Sequence, residues 1–205
     1  MAVKWPAIKR DQYLRMMDRH VPFGSALLQF VSANKVGSVV EIGCGVAHLS
    51  HFVDEYVGID TNADVLRAND VFYSCGRWIN KDWRYVDPSN MRADLAVASS
   101  LIEHCESFEP LLEWMIALPS LYSVVTFHKG LRSSANIRRD RTGPLFDNYY
   151  CRADLEAWLG SNVDWAWHLY DLPLSRSRFL HRRESVLVID RTGKADLSMW
   201  SKRAL

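Results

Sequence analysis

The stretch from Val39 to Ser50, VVEIGCGVAHLS, constrains this chain more than any other part of it. Two β-branched residues, an acid and an isoleucine lead into two glycines one residue apart. A short apolar run of that kind predicts a strand buried on both faces. Glycine takes up left-handed backbone without steric cost and lets another group approach the main chain closely. The residues after Gly45 predict the start of a helix. Strand, tight turn and helix in that order form the unit from which α/β domains are built.

The same alternation runs on along the chain. Apolar or alternating runs predict strands over 38–43, 55–60, 82–87, 94–100 and 123–129, with helices over 46–53, 62–75 and 107–118 between them. A loop rich in Arg, Ser, Asn and Gly follows the fifth strand. RADLEAWLG (152–160) then predicts a helix ended by Gly160. DWAWHLYDL (164–172) alternates, with Trp165, Trp167 and Leu169 on one side, and ESVLVIDR (184–191) predicts the last strand. No helical pattern joins these last two, so they are expected to run antiparallel. The expected fold is therefore α/β: a Rossmann-like, seven-stranded, mostly parallel sheet with an antiparallel last strand and helices on both faces. Residues 1–36, where Tyr13, Met16 and Met17 share a helical face, are expected to form a helical cap. The core is expected over 37–192 and a short tail over 193–205.

A chain of 205 residues can bury a sizeable core as one domain. Its formal net charge of +1 says nothing by itself about partners, so only the charge distribution can inform. Cys44, Cys75, Cys105 and Cys151 are scattered with no C-x-x-C pair. They read as reduced thiols of a cytoplasmic protein rather than a disulfide framework or a zinc site. The first ten residues carry no apolar run of the secretory kind. The apolar stretch from Leu111 is broken by Glu113 and Pro119, so no membrane span is expected. His48 and His51 share a helical face, but no nearby acid completes a metal site.

Two nucleotide cofactors use a glycine turn of this type. The dinucleotide fingerprint G-x-G-x-x-G needs a third glycine for close helix–strand packing, and His48 stands there. That cradle is also suited to a pyrophosphate. The pattern acid-x-Gly-x-Gly-x-Gly fits better: Glu41, Gly43, Gly45 and Ala47 depart from it only at the last small position. Asp60 ends the second strand, Asp87 is placed at the end of the third, and DLAVASSLIEHC (94–105) forms the fourth strand and its exit. In this order and spacing these segments resemble the class I S-adenosylmethionine (SAM)-dependent methyltransferases, over about residues 37–192.

The resemblance implies S-adenosyl-L-methionine as cofactor. Gly43, Cys44 and Gly45 would bring backbone to it, Glu41 would help fix its methionine end, and Asp60 with Thr61 would meet the ribose. Asp87 would meet the adenine amino group, and Ser99 would lie beside the sulfonium. Asp60 has a second reading as a helix cap, a role that Thr61 or Asn62 could serve equally well, and Asp87-Pro-Ser-Asn is also a good turn.

Methyl transfer to a polar O or N nucleophile rests largely on alignment. Where a base is needed, His128 at the end of the fifth strand is the first candidate and His104 the second, with Tyr149 or Tyr150 behind them. The clusters KGLRSSANIRRDR (129–141) and SRSRFLHRR (175–183) point to an anionic acceptor, a small molecule first and a nucleic acid second. A non-catalytic protein of the same fold is a third reading. Trp158, Trp165 and Trp167 read as core rather than as stacking platforms. Lys129, Glu184 and Lys35 match parts of a cap-type ribose methylation tetrad, but Ser99 and Ser100 stand where its aspartate is required, which argues against it. Nothing in the chain fixes the oligomeric state.

Overall fold

The computed structural model describes residues 27–73, 76–137, 146–173 and 183–201. The strands are β1 (Ser38–Ile42), β2 (Glu55–Asp60), β3 (Gly76–Asn80), β4 (Ala93–Ser99), β5 (Ser120–Phe127), β6 (Ala166–Pro173) and β7 (Arg183–Asp190). The helices are α1, described over 27–33, α2 (Ala63–Phe72), α3 (Glu109–Ala117), α4 (Arg152–Asn162) and the short α5 (Ser198–Ser201).

All seven strands join one sheet in the order β3-β2-β1-β4-β5-β7-β6. Strands β1 to β5 pair in parallel, and β7 runs antiparallel to both β5 and β6. The expected sheet is present, and the reversed strand lies between β5 and β6. The strand order turns back at β1, between β2 and β4. In a parallel sheet that reversal opens a crevice at the carboxyl ends of the strands, because the two connections leave to opposite faces.

Each strand alternates its side chains between two apolar layers. Val40, Ile42, Ala96, Ala98 and Val125 face one layer, which α3 and α4 close with Leu111, Leu112, Met115, Leu155 and Leu159. Val39, Leu95, Val97 and Val124 face the other, closed by Leu27, Phe30 and Val31 of α1, Leu66 of α2 and Trp200 of α5. The carboxyl-terminal segment, which shows little pattern in sequence, thus inserts a fully buried indole that stacks on Phe30 with ring centroids 5.4 Å apart.

Several elements differ from the sequence expectation. The third strand is Gly76–Asn80, not 82–87. DWRYVD alternates in polarity, but Asp82 and Asp87 accept hydrogen bonds from the backbone amides of Arg84 and Ser89, and each starts a 3₁₀ turn. Asp87 therefore does not end a strand; it caps an exposed turn and also accepts from Ser89 Oγ and Asn90 Nδ2. The real β3 is marked by glycines that seat an indole. A Cβ on Gly76 would lie 2.1 Å from Trp78, and one on Gly58 would lie 2.9 Å from it.

The helix expected over 46–53 is only a 3₁₀ turn, His48–His51, because Ala47 before it is left-handed. Gly160 lies inside α4, which runs on to Asn162. Trp158 and Trp167 do pack against the core, whereas Trp165 is 38% exposed with the Arg191 guanidinium over its ring at 4.4 Å. Cys44, Cys105 and Cys151 form no disulfide, and no described helix is long and apolar enough to cross a membrane. Tyr13, residues 138–141 of the first basic cluster and residues 175–182 of the second lie outside the described residues.

Candidate functional site

The crevice begins at the glycine turn. Gly43 and Gly45 are left-handed, with φ of 64° and 48°, and so is Ala47 at 50°. The amides of Gly43 and Cys44 donate to Ile59 O at 2.7 and 3.2 Å, which ties the turn to the end of β2. From α2, Asn69 Nδ2 donates to Gly45 O at 2.8 Å and Tyr73 Oη donates to Val46 O at 2.8 Å. Neither Asn69 nor Tyr73 stands out in sequence, since helical spacing marks them only as inward-facing. A Cβ on Gly43 would meet Leu101 at 2.9 Å, so that glycine is needed for packing as well as conformation. A Cβ on Gly45 would meet no protein atom nearer than 4.0 Å. The turn is fixed from behind and open in front.

Asp60 stands at the carboxyl end of β2. Its Oδ2 accepts from Gly45 N at 2.9 Å and its Oδ1 from Asn62 N at 2.8 Å. Burial pushes its carboxyl above the ordinary range, against the pull of backbone amides at Asn62, Gly45 and Thr61. The cap of α2 is Asn62, whose Oδ1 accepts from Asp64 N and Val65 N. That disposes of the capping role for Asp60 and for Thr61, which lies exposed just past the strand. A carboxylate has about four lone-pair sites. With the amides of Gly45, Asn62 and Thr61 on it, Asp60 keeps acceptor capacity for a hydroxyl donor in front of the turn.

Glu41 lies within β1 and is 6% exposed. Its Oε2 accepts from Tyr56 Oη at 2.5 Å. Burial lifts its pKa to about 7, opposed by the Tyr56 bond and reinforced by the Asp60 charge. The same surroundings push the Cys44 thiol well above its usual range, so Cys44 serves the turn through its backbone amide and as buried volume.

On the other side of the switch point, Ser99 ends β4 with its Oγ 3.4 Å from Thr126 Oγ1. The next residue, Ser100, is left-handed at φ 53° and donates its amide to the same Oγ1 at 3.0 Å. β5 stops at Phe127, so His128 sits one residue beyond it, in a turn closed by Gly130 N on Phe127 O. His128 Nδ1 lies 3.0 Å from Glu103 Oε2, and Glu103 is 1% exposed. His104 Nδ1 lies 2.9 Å from Phe146 O, and its ring centroid is 6.1 Å from that of His128.

Tyr150 donates its hydroxyl to Ile102 O and Cys105 O, and burial pushes its pKa up, so it is a structural tie rather than a base. Tyr149 lies between Lys129 and Arg132, whose charges stand 4.8 and 4.5 Å from its ring centroid. Lys129 also pairs with Asp147. Lys35 precedes the amino end of β1, at the end of the sheet opposite the crevice, so the tetrad is not assembled.

The structure thus gathers Glu41, Gly43, Cys44, Gly45, Asp60 and Thr61 around one turn, and Ser99, His104 and His128 at the ends of β4 and β5. Asp87 is not among the strand ends; after β3 the chain presents Asn80 and Asp82 there. Glu103 is the residue that sequence reading missed. It stands next to His104 in the chain, but its partner is 25 residues away on another strand end. No group of three or more metal-ligating side chains is found among the described residues.

No family model and no curated protein matches the chain. Solved structures do. The DhpI–SAH complex is 17% identical, with 90% of each chain covered and a TM-score of 0.61. The N-terminal domain of EvdMO1 with SAH bound is 16% identical, with 83% of this chain and 80% of that one covered and a TM-score of 0.59. The plantazolicin methyltransferase BpumL in complex with SAH is 14% identical, with 89% and 91% covered and a TM-score of 0.58. At such identities the likeness is one of fold. The chain has the class I SAM-dependent methyltransferase fold.

Proposed function

We propose that this chain, a class I methyltransferase in fold, binds SAM at the Gly43–Gly45 turn and moves its methyl group to an O or N nucleophile of a polar, anionic small molecule. The observation that carries the reading is the pairing of Gly45 N with Asp60 Oδ2 beneath a turn that is open in front. It supports an adenosine with two ribose hydroxyls and no pyrophosphate, because His48 follows where a phosphate cradle needs glycine. The residues fit the cofactor: Asp60 has spare acceptors for the ribose, and the Gly43–Gly45 backbone admits close approach. Ser99 and Ser100 stand across the switch point from them. Neighbours of the same fold are solved with SAH. When bound, SAM supplies a methyl group activated by a positively charged sulfur.

Alignment of the two reactants supplies most of the acceleration in such a transfer. The chain contributes a rigid floor from β1, β4 and β5, and the Lys129–Tyr149–Arg132 stack beside the crevice favours a negatively charged acceptor. A nucleic acid is the second reading. It predicts binding that falls steeply with salt and is lost when Arg138, Arg139, Arg182 and Arg183 are neutralised.

Calorimetric titration with SAM, SAH and NAD tests the cofactor. Micromolar binding of the first two without NAD is expected, and Asp60→Ala is expected to weaken it about tenfold or more while the fold survives. Binding of NAD alone, or unchanged affinity in Asp60→Ala, would sink this reading.

A further inference from the structure

We propose that a cavity at the amino ends of the strands, at the end of the sheet opposite the crevice, is a second binding site. It takes a small zwitterion of amino-acid or short-peptide chemistry, with the carboxylate on Arg92 and Arg191 and the ammonium on Glu55. The cavity has a volume of about 470 Å³, and its lining includes Ser38, Glu55, Arg92, Asp94, Leu121 and Arg191. Clefts of roughly 300–1,000 Å³ are the size that holds small ligands. The lining comes from the starts of β1, β2, β4 and β5 and from the residue after β7. From Asp94 to Ser99 the strand β4 rises about 17 Å. The cavity is therefore separate from the crevice, and the inference does not depend on the cofactor reading.

The positive charges in this lining have no counter-ion. Arg191 is half-buried, and its Nη2 donates to the carbonyls of Met115 and Ile116 at the end of α3. The Trp165 ring lies against its guanidinium at 4.4 Å. Its Nε is shut off from solvent and has no hydrogen-bond partner. Burial lowers its pKa, and no carboxylate raises it again. Arg92 is exposed, and no ion pair among the described residues includes Arg92 or Arg191. A guanidinium held only by neutral carbonyls and a ring face gains most from a carboxylate, because charge-assisted hydrogen bonds are about twice as strong as neutral ones.

The opposite wall is stiff and negative. Asp94 Oδ2 accepts from Gly37 N and Ser38 N at 2.8 and 3.0 Å, and Ser38 Oγ accepts from Asp94 N at 2.8 Å. These bonds clamp the amino ends of β1 and β4 together. Glu55 opens β2, is exposed, and belongs to none of the ion pairs either. Two acids and two arginines thus share one cavity without pairing. A bare anion would meet the acids as well as the arginines, and a bare cation the reverse. A molecule with opposite charges at its two ends satisfies both.

The spacing calls for charges set apart. In the sheet order, β2 and β7 are four strand steps from each other. The backbones that carry Glu55 and Arg191 therefore lie about 19 Å apart, and two long side chains shorten the gap that a ligand has to span. Leu121, on the β5 start between Asp94 and Arg191, is 47% exposed and offers the hydrocarbon part of such a molecule an apolar contact.

The test is a titration of the full-length, ¹⁵N-labelled chain with three probes: 6-aminohexanoate, hexanoate and hexylamine. The zwitterion should shift the backbone amides of Ser38, Asp94 and Leu121 and the Arg191 Nε–H signal saturably, and leave Gly43 and Gly45 in place. Each single-charge probe should bind about tenfold more weakly or worse. Arg191 also ties the end of α3, so its removal could disturb the fold, and two exposed positions carry the test instead. Arg92→Gln and Glu55→Gln should each weaken 6-aminohexanoate about tenfold, with the rest of the spectrum unchanged. The proposal is overturned if no saturable shift occurs, if the shifts fall at Gly43 and Gly45, if all three probes bind alike, or if neither substitution weakens binding. SAH takes no part in the experiment, so failure of the cofactor reading would leave this outcome untouched.

Discussion

On the β1–β2 side of the crevice, the contacts that shape the turn lie between Glu41 and Tyr73, and most of them end on backbone atoms. Asp60 holds Gly45 N, Asn69 holds Gly45 O and Tyr73 holds Val46 O. On the β4–β5–β7 side, side chains reach across long gaps in the chain to tie the strand exits together. Glu103 meets His128, Asn148 Nδ2 reaches Cys105 O, and Ser185 Oγ joins Leu131 N to Asp171. Backbone is the same whatever the sequence, so a site made of it suits a ligand that never changes. A site made of side chains can be altered residue by residue, which suits a ligand that varies.

Both sides bury a carboxyl group, and that likeness allows the sharpest test of the contrast. Glu41 is raised to about 7 by burial and Glu184 to about 8. For a raised acid the folded state binds the proton more tightly than the unfolded one. The stability it contributes is present below pH 4.5 and is lost as pH rises to the folded value. For Glu41 the interval from 4.5 to about 7 corresponds to about 3 kcal/mol. Urea denaturation should show Glu41→Gln to be more stable than wild type by about that amount at pH 8 and equal to it at pH 4. SAH affinity should change with it, because Glu41 adjoins the turn. Glu184→Gln should flatten the pH dependence up to about pH 8 and leave SAH affinity alone. Equal effects of the two on SAH would break the contrast.

A smaller effect is expected from Gly43→Ala. The left-handed φ of 64° and the Leu101 contact should together cost about 2 kcal/mol of stability, and SAH binding should weaken in calorimetry. Preserved affinity would mean that the turn does not face the cofactor. The smallest effect belongs to Ala47. It is left-handed at 50° where the glycine pattern has its one exception, so Ala47→Gly should stabilise the chain by about 1 kcal/mol in the same denaturation assay.

The strands around the glycine turn were legible because each is a run of apolar or β-branched residues bounded by Gly, Asp or Pro. β3 was not. Its five residues, Gly76 to Asn80, alternate no better than the DWRYVD that follows. What makes them a strand is the register with Tyr56–Asp60 and the seat that Gly58 and Gly76 leave for Trp78. Asp87, expected at the end of this strand, lies seven residues beyond it. Asp82 and Asp87 turned out to be turn caps, a role that residue type permits and only local geometry assigns. Trp200 shows the reverse case, a residue in an unpatterned tail that becomes one of the largest fully buried side chains.

By itself, the sequence determined the parallel sheet, the open glycine turn and the acid at the end of β2. These depend on residues close together in the chain, where backbone sterics and strand periodicity act directly. Tertiary structure alone decided that β7 lies between β5 and β6, that Asn69 and Tyr73 anchor the turn, and that Glu103 faces His128. Those partners lie on different elements, and only packing of the two apolar layers against the sheet brings them within hydrogen-bonding distance.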